Sequence, residues 1–422
     1  MSWTNYNFLH SLWAVVPPWK IVSVKFDLEA KRLDIRMDFP RGSRFLLGGK
    51  STDQKAYPVY DTTEKEWRHL NFFQHECYIK ARTPRVKLDD GSVLLVTPPW
   101  AGKEKGFTML FEALLLQLLS CMPVQQVEKL CNVGDDKLWK LLHLYIDSSR
   151  ELSDMSPVKK LGVDETSIRK GHKYVTLFVD IEKSKTLFVT EGKDSSTFTA
   201  FSADLARHGG EAAQISTISM DMSPAFIKGA DACFPHAERV YDKFHLVKMF
   251  NTAIDNVRKQ EQKELGKVDG KLLKNSRWLF LKNKSNLTKS QMVSLATIEM
   301  HGQKLKTFKM HRMRETLQDI YRYAKSESDF ETRLKALRRW LLLSRIEPAK
   351  ELGRMMKKHW NGIISWYRLR VSNAILEGLN SLVKAAAARA RGYRTVKNYT
   401  AIIYLITGKF DFSILNPALN DY

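Results

Sequence analysis

Between Leu161 and Asp221 the apolar pattern changes period in an order that few architectures accommodate. Three short runs come first, at 161–167, 173–181 and 185–190, followed by an amphipathic stretch from Ser195 to Arg207. A last apolar run, Ile215 to Met220, stops on Asp221. Short β-branched and aromatic runs fit strands, whereas a 3.6-residue repeat fits a helix. The expected order is therefore three antiparallel strands, a helix and a fourth strand. The first strand carries Asp164, in Leu161-Gly162-Val163-Asp164-Glu165-Thr166, so two strands of one sheet each present a carboxylate.

A third acid, Glu377, stands far downstream in Ser372-Asn373-Ala374-Ile375-Leu376-Glu377-Gly378-Leu379-Asn380. Asn373, Glu377, Asn380 and Lys384 recur at helical spacings and share one face. Each acid has a plainer reading. Asp164 could be an ordinary strand-end acid, Asp221 could cap the helix opened by Ser223-Pro224, and the Glu377 face could be solvated. Together the three match what two divalent ions need for phosphoryl transfer on nucleic acid. Mg²⁺ (or Mn²⁺) takes hard oxygen ligands and keeps several waters, so three carboxylates suffice. Asp242 and His245 form a further pair, read either as support for the site or as a helix cap.

The chain has 422 residues and a formal charge of +22, which favours a polyanionic partner, double-stranded DNA before an anionic membrane surface. The longest apolar stretch, Met109 to Leu119, is broken by Glu112 and Gln117 and is too short to cross a bilayer. Cys77, Cys121, Cys131 and Cys233 include no C-x-x-C pair and read as reduced thiols of a cytoplasmic protein. No signal peptide is apparent.

The fold class expected is α+β and multidomain: a ribonuclease-H-like core split by a large all-α insertion, preceded by a small β-rich domain and a helix-turn-helix. Residues 1–100 form the β-rich domain, with a hairpin over 20–40 and short strands over 57–97. Residues 101–150 hold the helix-turn-helix, in which Val124, Val127 and Leu130 face inward and Asp135 or Asp136 caps the second helix; a plain helical hairpin fits the pattern equally. A polar linker spans 147–160. Residues 151–245 are the first part of the core, 246–365 the basic insertion, and 366–422 the second part with the Glu377 helix. Trp278 and Trp340 are read as core residues. DNA contacts are expected from Asn373, Asn380 and Lys384, from Arg389, Arg391, Tyr393, Arg394 and Lys397, and from Trp67, Arg68, His69, Arg82 and Arg85.

At these residues the chain resembles the bacterial insertion-sequence transposases of the IS-L-three (ISL3) family, in the DDE superfamily. The resemblance rests on Gly162–Glu165, Asp221–Ser223, Asp242–His245 and Ser372–Asn380, met in order, and on Trp67–Leu70, Ala81–Val86 and Pro99–Ala101 in the N-terminal half. It implies that Asp164, Asp221 and Glu377 are the catalytic triad and metal ligands, with Asp242 and His245 supporting. It further implies binding of terminal inverted repeats and target DNA, strand cleavage and transfer, a homodimer on paired ends, and a place at the bacterial nucleoid. Family members usually carry two C-x-x-C pairs in the N-terminal domain. Here Leu88-Asp89-Asp90-Gly91 replaces one, and Phe45–Gly49 offers no cysteine for the other, so no zinc is expected. A DNA-binding remnant without activity, and a ribonuclease-H-like nuclease without strand transfer, are the rival readings.

Overall fold

The computed structural model describes residues 16–46, 55–169, 173–266, 273–301, 304–370 and 374–421. It divides into two units, residues 1–153 with 384–422, and residues 154–383. The break at 153 falls within the expected linker, but 384–422, expected with the core, belongs to the first unit.

In the first unit β1 (Lys20–Asp27) and β2 (Arg32–Asp38) form the expected hairpin. β3 (Arg44–Leu46) pairs with a long strand, β4 (Ala56–Phe72), which turns back into β5 (His75–Lys87). One extended hairpin thus replaces the expected series of short strands; its turn sets Phe73, not a glycine, at φ 54°. β6 (Val93–Leu95) adds to β5, and β2 runs parallel to β5. Ile35, Met37, Trp67, Cys77 and Ile79 build the core, and Trp19, Phe39, Phe45 and Trp100 extend it as an aromatic cluster.

Thr108 caps α1 (Met109–Cys121) by accepting from the Phe111 N–H. α2 (Val124–Cys131) and α3 (Asp135–Glu151) follow, joined through Asn132 at φ 52°. The N-cap of α3 is Gly134; Asp135 and Asp136 lie in its first turn, where negative charge suits the helix dipole. Cys131 is buried where Leu130 was expected, and Leu130 faces solvent. α3 also runs on through Glu151, into the expected linker.

The second unit is built on β7 (Lys160–Arg169), β8 (Lys173–Asp180) and β9 (Lys185–Glu191), an antiparallel meander. α4 (Ser196–Arg207) leads to β10 (Thr217–Met220), parallel to β7 on its other side. α5 (Pro224–Cys233) leads to β11 (Glu238–Tyr241), parallel to β10. The strand order is β11-β10-β7-β8-β9. β8 is buried without alternation from Val175 to Asp180, as an interior strand covered on both faces should be. Phe178 stacks on Phe201 of α4 at 4.3 Å.

The helical stretch comprises α6 (Lys243–Glu264), α7 (Arg277–Leu281), α8 (Lys289–His301), α9 (Lys306–Tyr323), α10 (Glu327–Leu342), α11 (Glu347–Lys358) and α12 (Trp360–Leu369). It is not a body apart. Leu161 and Ile218 of the sheet share one continuous core with Phe250, Leu334 and Trp366. Polar anchors stitch the helices together: Glu261 accepts from the Lys306 and Thr307 N–H groups at the start of α9, and the buried Arg314 donates to the Leu281 and Lys282 carbonyls. Trp278 departs from its expected core position and is more than half exposed, with Arg277 over its ring. α13 (Ala374–Arg389) closes this unit and continues into the first, whose last α-helix is α14 (Val396–Thr407). Among the described residues no helix is long and apolar enough to cross a membrane.

Candidate active site

The register of three strands assembles the acids. β10 pairs with β7 as Ile218↔Leu161 and Ser219↔Gly162, and the pairing stops there. Asp164 and Asp221 each lie two residues further on, so the same parallel register sets them side by side. β11 meets β10 as Met220↔Tyr241, which brings Asp242 next to Asp221. Asp164 is not at a strand end, as expected, because β7 continues to Arg169 against β8; it is at an edge only on the β10 side.

Helix α13 is held in step with β7. A Cβ on Gly162 would sit 2.9 Å from the Leu376 side chain, so glycine is what allows the helix this close. Two residues along the strand and one turn along the helix, Asn380 Nδ2 donates to Asp164 Oδ2 at 2.6 Å. Two strand residues advance about 6.6 Å and four helix residues about 6 Å, so the two contacts match in spacing. This docking brings Glu377, the neighbour of Leu376, to the site, where it is exposed. Asn380, expected to face DNA, is instead buried, 7% exposed. Lys384 is exposed, and Asn373 lies outside the described residues.

Burial raises the Asp164 pKa, and the charges of Asp221 and Asp242 push the same way; the Glu165 N–H, donating to Oδ1 at 2.8 Å, and His245 offset part of this. Glu377 is raised by burial and then by Asp242, against His245 and Lys243. Asp221 Oδ1 accepts from the Ser223 N–H at 2.8 Å, closing the turn that opens α5. Asp242 does two things at once. Its Oδ1 caps α6 by accepting from the Phe244 N–H, and its Oδ2 lies 3.1 Å from His245 Nδ1. That bond is the main reason the His245 pKa is raised. A groove of about 600 Å³ runs from Asp221 and His245 along Lys248 and Thr252 to Glu351 and Met355.

Among the described residues no three acids, histidines or cysteines already converge as a metal cage. The donor set still suits a hard divalent cation. Asp164 and Asp221 are adjacent like charges, and beside them the Asn380 Oδ1 is buried without a hydrogen-bond partner.

The family model of the ISL3-type DDE transposases, described as a transposase, matches residues 161–403. The chain belongs to the ISL3 family of transposases. The family is one of nucleic-acid-transferring enzymes that generally use a divalent metal. The chain is 28% identical over 343 residues to the transposase for insertion sequence element IS1001 of Bordetella parapertussis, covering 80% of this chain and 82% of the relative. It is 23% identical over 368 residues to the transposase for insertion sequence element IS1557 of Mycobacterium tuberculosis, covering 81% of each.

Outside the acidic site the family member departs from several expectations. Trp67, Arg68 and His69 are buried and have no surface to offer DNA. Arg68 pairs with Glu76 at 2.7 Å and lies over the Tyr78 and Phe111 rings. His69 Nδ1 lies 2.9 Å from Thr108 Oγ1, and burial, then Arg68, pushes its pKa down to about 4. A basic and aromatic run serves a packed strand as readily as a DNA surface, which is why sequence misassigns it. Arg82 is spent on Asp38 and Arg85 on Asp61. Arg391, Arg394 and Lys397 are exposed, whereas Arg389 donates to the Cys121 carbonyl at 2.9 Å. Tyr393 packs on Trp139 and Tyr399, and burial pushes its phenol up to about 12. With Tyr393 on Trp139, and His143 Nε2 3.0 Å from Asn398 Oδ1, α3 is covered on a second side. Its exposed positions are Asp136, Lys137, Lys140, Asp147 and Glu151, a narrow stripe that suits a helical hairpin better than a groove-reading helix.

Proposed function

We propose that this chain is a DNA transposase that binds the terminal inverted repeats of an insertion sequence, cleaves at their ends and joins them to target DNA. The observation that carries the reading is the convergence of Asp164 and Asp221, from neighbouring parallel strands, with the α13 helix of Glu377 docked beside them. On this reading the second unit is a ribonuclease-H-like core interrupted by the helices from α6 to α12.

Asp164, Asp221 and Glu377 would hold Mg²⁺ (or Mn²⁺), two ions in the full site. When bound, the metal supplies Lewis-acid stabilisation of phosphate charge and a water of lowered pKa. The protein's own part is orientation and charge. Asp164 is clamped by the Glu165 N–H and by Asn380, and Asp221 by the Ser223 N–H, so neither carboxylate must be ordered when substrate arrives. His245, fixed by Asp242 and close enough to Asp221 and Asp164 to feel their charge, can hold a proton or a phosphate oxygen. Arg391, Arg394, Lys397 and Lys384 offer free positive charge to the duplex. Two ends must be processed together, so a homodimer on paired repeats is expected, acting on cytoplasmic nucleoid DNA.

The test is a labelled duplex of the inverted repeats that flank the gene. Wild type should nick at the repeat boundary in Mg²⁺ and then join the end to a target plasmid. Asp164→Ala, Asp221→Ala and Glu377→Ala should each abolish nicking while binding the duplex as wild type does. Loss of binding in step with cleavage would remove these residues from the chemistry.

A further inference from the structure

We propose that Asn380 is a positioning residue of the phosphoryl-transfer site: it orients the Asp164 carboxylate and leaves its own amide oxygen to accept from water on the bound cation. The inference rests on the reading of the acids given above. A carboxylate has about four lone-pair sites. On Asp164 one oxygen is taken by the Glu165 N–H at 2.8 Å and the other by Asn380 at 2.6 Å. Each oxygen keeps one free site, and with both held the carboxylate cannot rotate. The free directions are fixed before any cation arrives.

An amide is the side chain this job requires. A carboxylate at 380 could not donate to ionised Asp164. A lysine or arginine could, but its charge would neutralise Asp164 and compete with a metal ion for it. Asn380 supplies a donor without a charge, and only 7% of it is exposed, so water does not replace it. The amide oxygen is the second observation. Oδ1 is buried and has no hydrogen-bond partner. It belongs to the amide held against Asp164, where a hydrated cation would present O–H donors. The same residue also ties α13 to β7, one turn from the Leu376–Gly162 contact, so one bond aims Asp164 and helps to place Glu377.

The full-length protein, free of DNA, is titrated with Mn²⁺ and followed by electron paramagnetic resonance, with thermal unfolding in EDTA alongside. Asn380→Leu keeps the branched shape, with bulkier methyl groups, and removes the donor. It should lower the Tm by only about 2–4 °C, lose about tenfold in Mn²⁺ affinity and lose a similar factor in end cleavage. Leu376→Ala loosens the same helix without touching the carboxylate; it should lower the Tm by more than Asn380→Leu does and lose less Mn²⁺ affinity. Asn380→Ala replaces the leucine variant should that one fail to fold. Wild-type Mn²⁺ affinity in the Asn380 variant overturns the proposal. So does an affinity loss that merely follows the Tm loss, equal in Leu376→Ala. Asp164→Ala separates the two levels: if it binds Mn²⁺ as wild type does, the metal reading itself fails. If it loses Mn²⁺ while Asn380→Leu does not, the positioning role alone fails.

Discussion

Asp164 works against the stability of the fold that holds it. Its pKa is raised chiefly by burial and further by Asp221 and Asp242. The folded protein therefore holds the proton more tightly than the unfolded chain does. The stability from this group is fully present below the unfolded carboxyl value, about 3.9, and is lost as pH rises through the folded value. Above that, the ionised group is a cost. Asp164→Asn keeps an acceptor for the Asn380 N–H and removes the charge. In EDTA at neutral pH it should raise the Tm by roughly 2–4 °C, the shift that about 1 kcal/mol gives in a unit of this size, while abolishing cleavage. The gain should fade as pH falls through the raised folded value, because wild type then takes up the proton as well. A lowered Tm at pH 7 in calorimetry would mean that Asp164 is held by favourable partners, not strained by like charges.

At the scale of elements, the site depends on the approach of α13 to β7, and Gly162 sets that approach. Gly162→Ala places a Cβ 2.9 Å from Leu376, and overpacking of this kind costs about 1–3 kcal/mol. The variant should unfold earlier in urea and cleave poorly. Adding Leu376→Ala should recover part of the stability, with a coupling of at least about 0.5 kcal/mol in the double-mutant cycle. Additive losses would show that the helix does not lean on the glycine. Sequence could place these elements, because three strand-period runs and an amphipathic helix announce themselves by pattern. It could also find the acids, because Asp164 and Asp221 follow apolar runs. It could not find the tie between Asn380 and Asp164. Helical spacing put Asn380 on the Glu377 face, but only the β7–α13 register shows that this part of the face points at a carboxylate and not at solvent. The same limit misassigned Trp67, Arg68 and His69: alternation predicts which residues share a side, and α1 covering that strand is a tertiary event. Leu130 failed for a similar reason, since a short helix offers too few turns to fix its inward face within one residue.

For the whole molecule, the charge of +22 is the chief argument for a nucleic-acid partner, yet the arginines are not equivalent. Arg68, Arg82 and Arg85 are committed to Glu76, Asp38 and Asp61. Arg391 and Arg394 are exposed beside a half-buried Tyr393. Arg394→Ala should weaken end binding and lower the salt slope by about one without altering the Tm. Arg68→Ala should instead lower the Tm and leave the slope of the folded protein unchanged. The reverse pattern, measured by fluorescence anisotropy across a salt series, would return the buried Trp67–His69 run to the DNA interface. Labelled inverted-repeat duplex is incubated in Mg²⁺ or Mn²⁺ with wild type and with Glu377→Gln, which keeps size and hydrogen bonding and removes one charge. If Glu377 helps to hold the metal, wild type should nick at the repeat boundary, the variant should not, and both should bind equally. Metal-independent nicking, or nicking that survives in Glu377→Gln, would contradict that role.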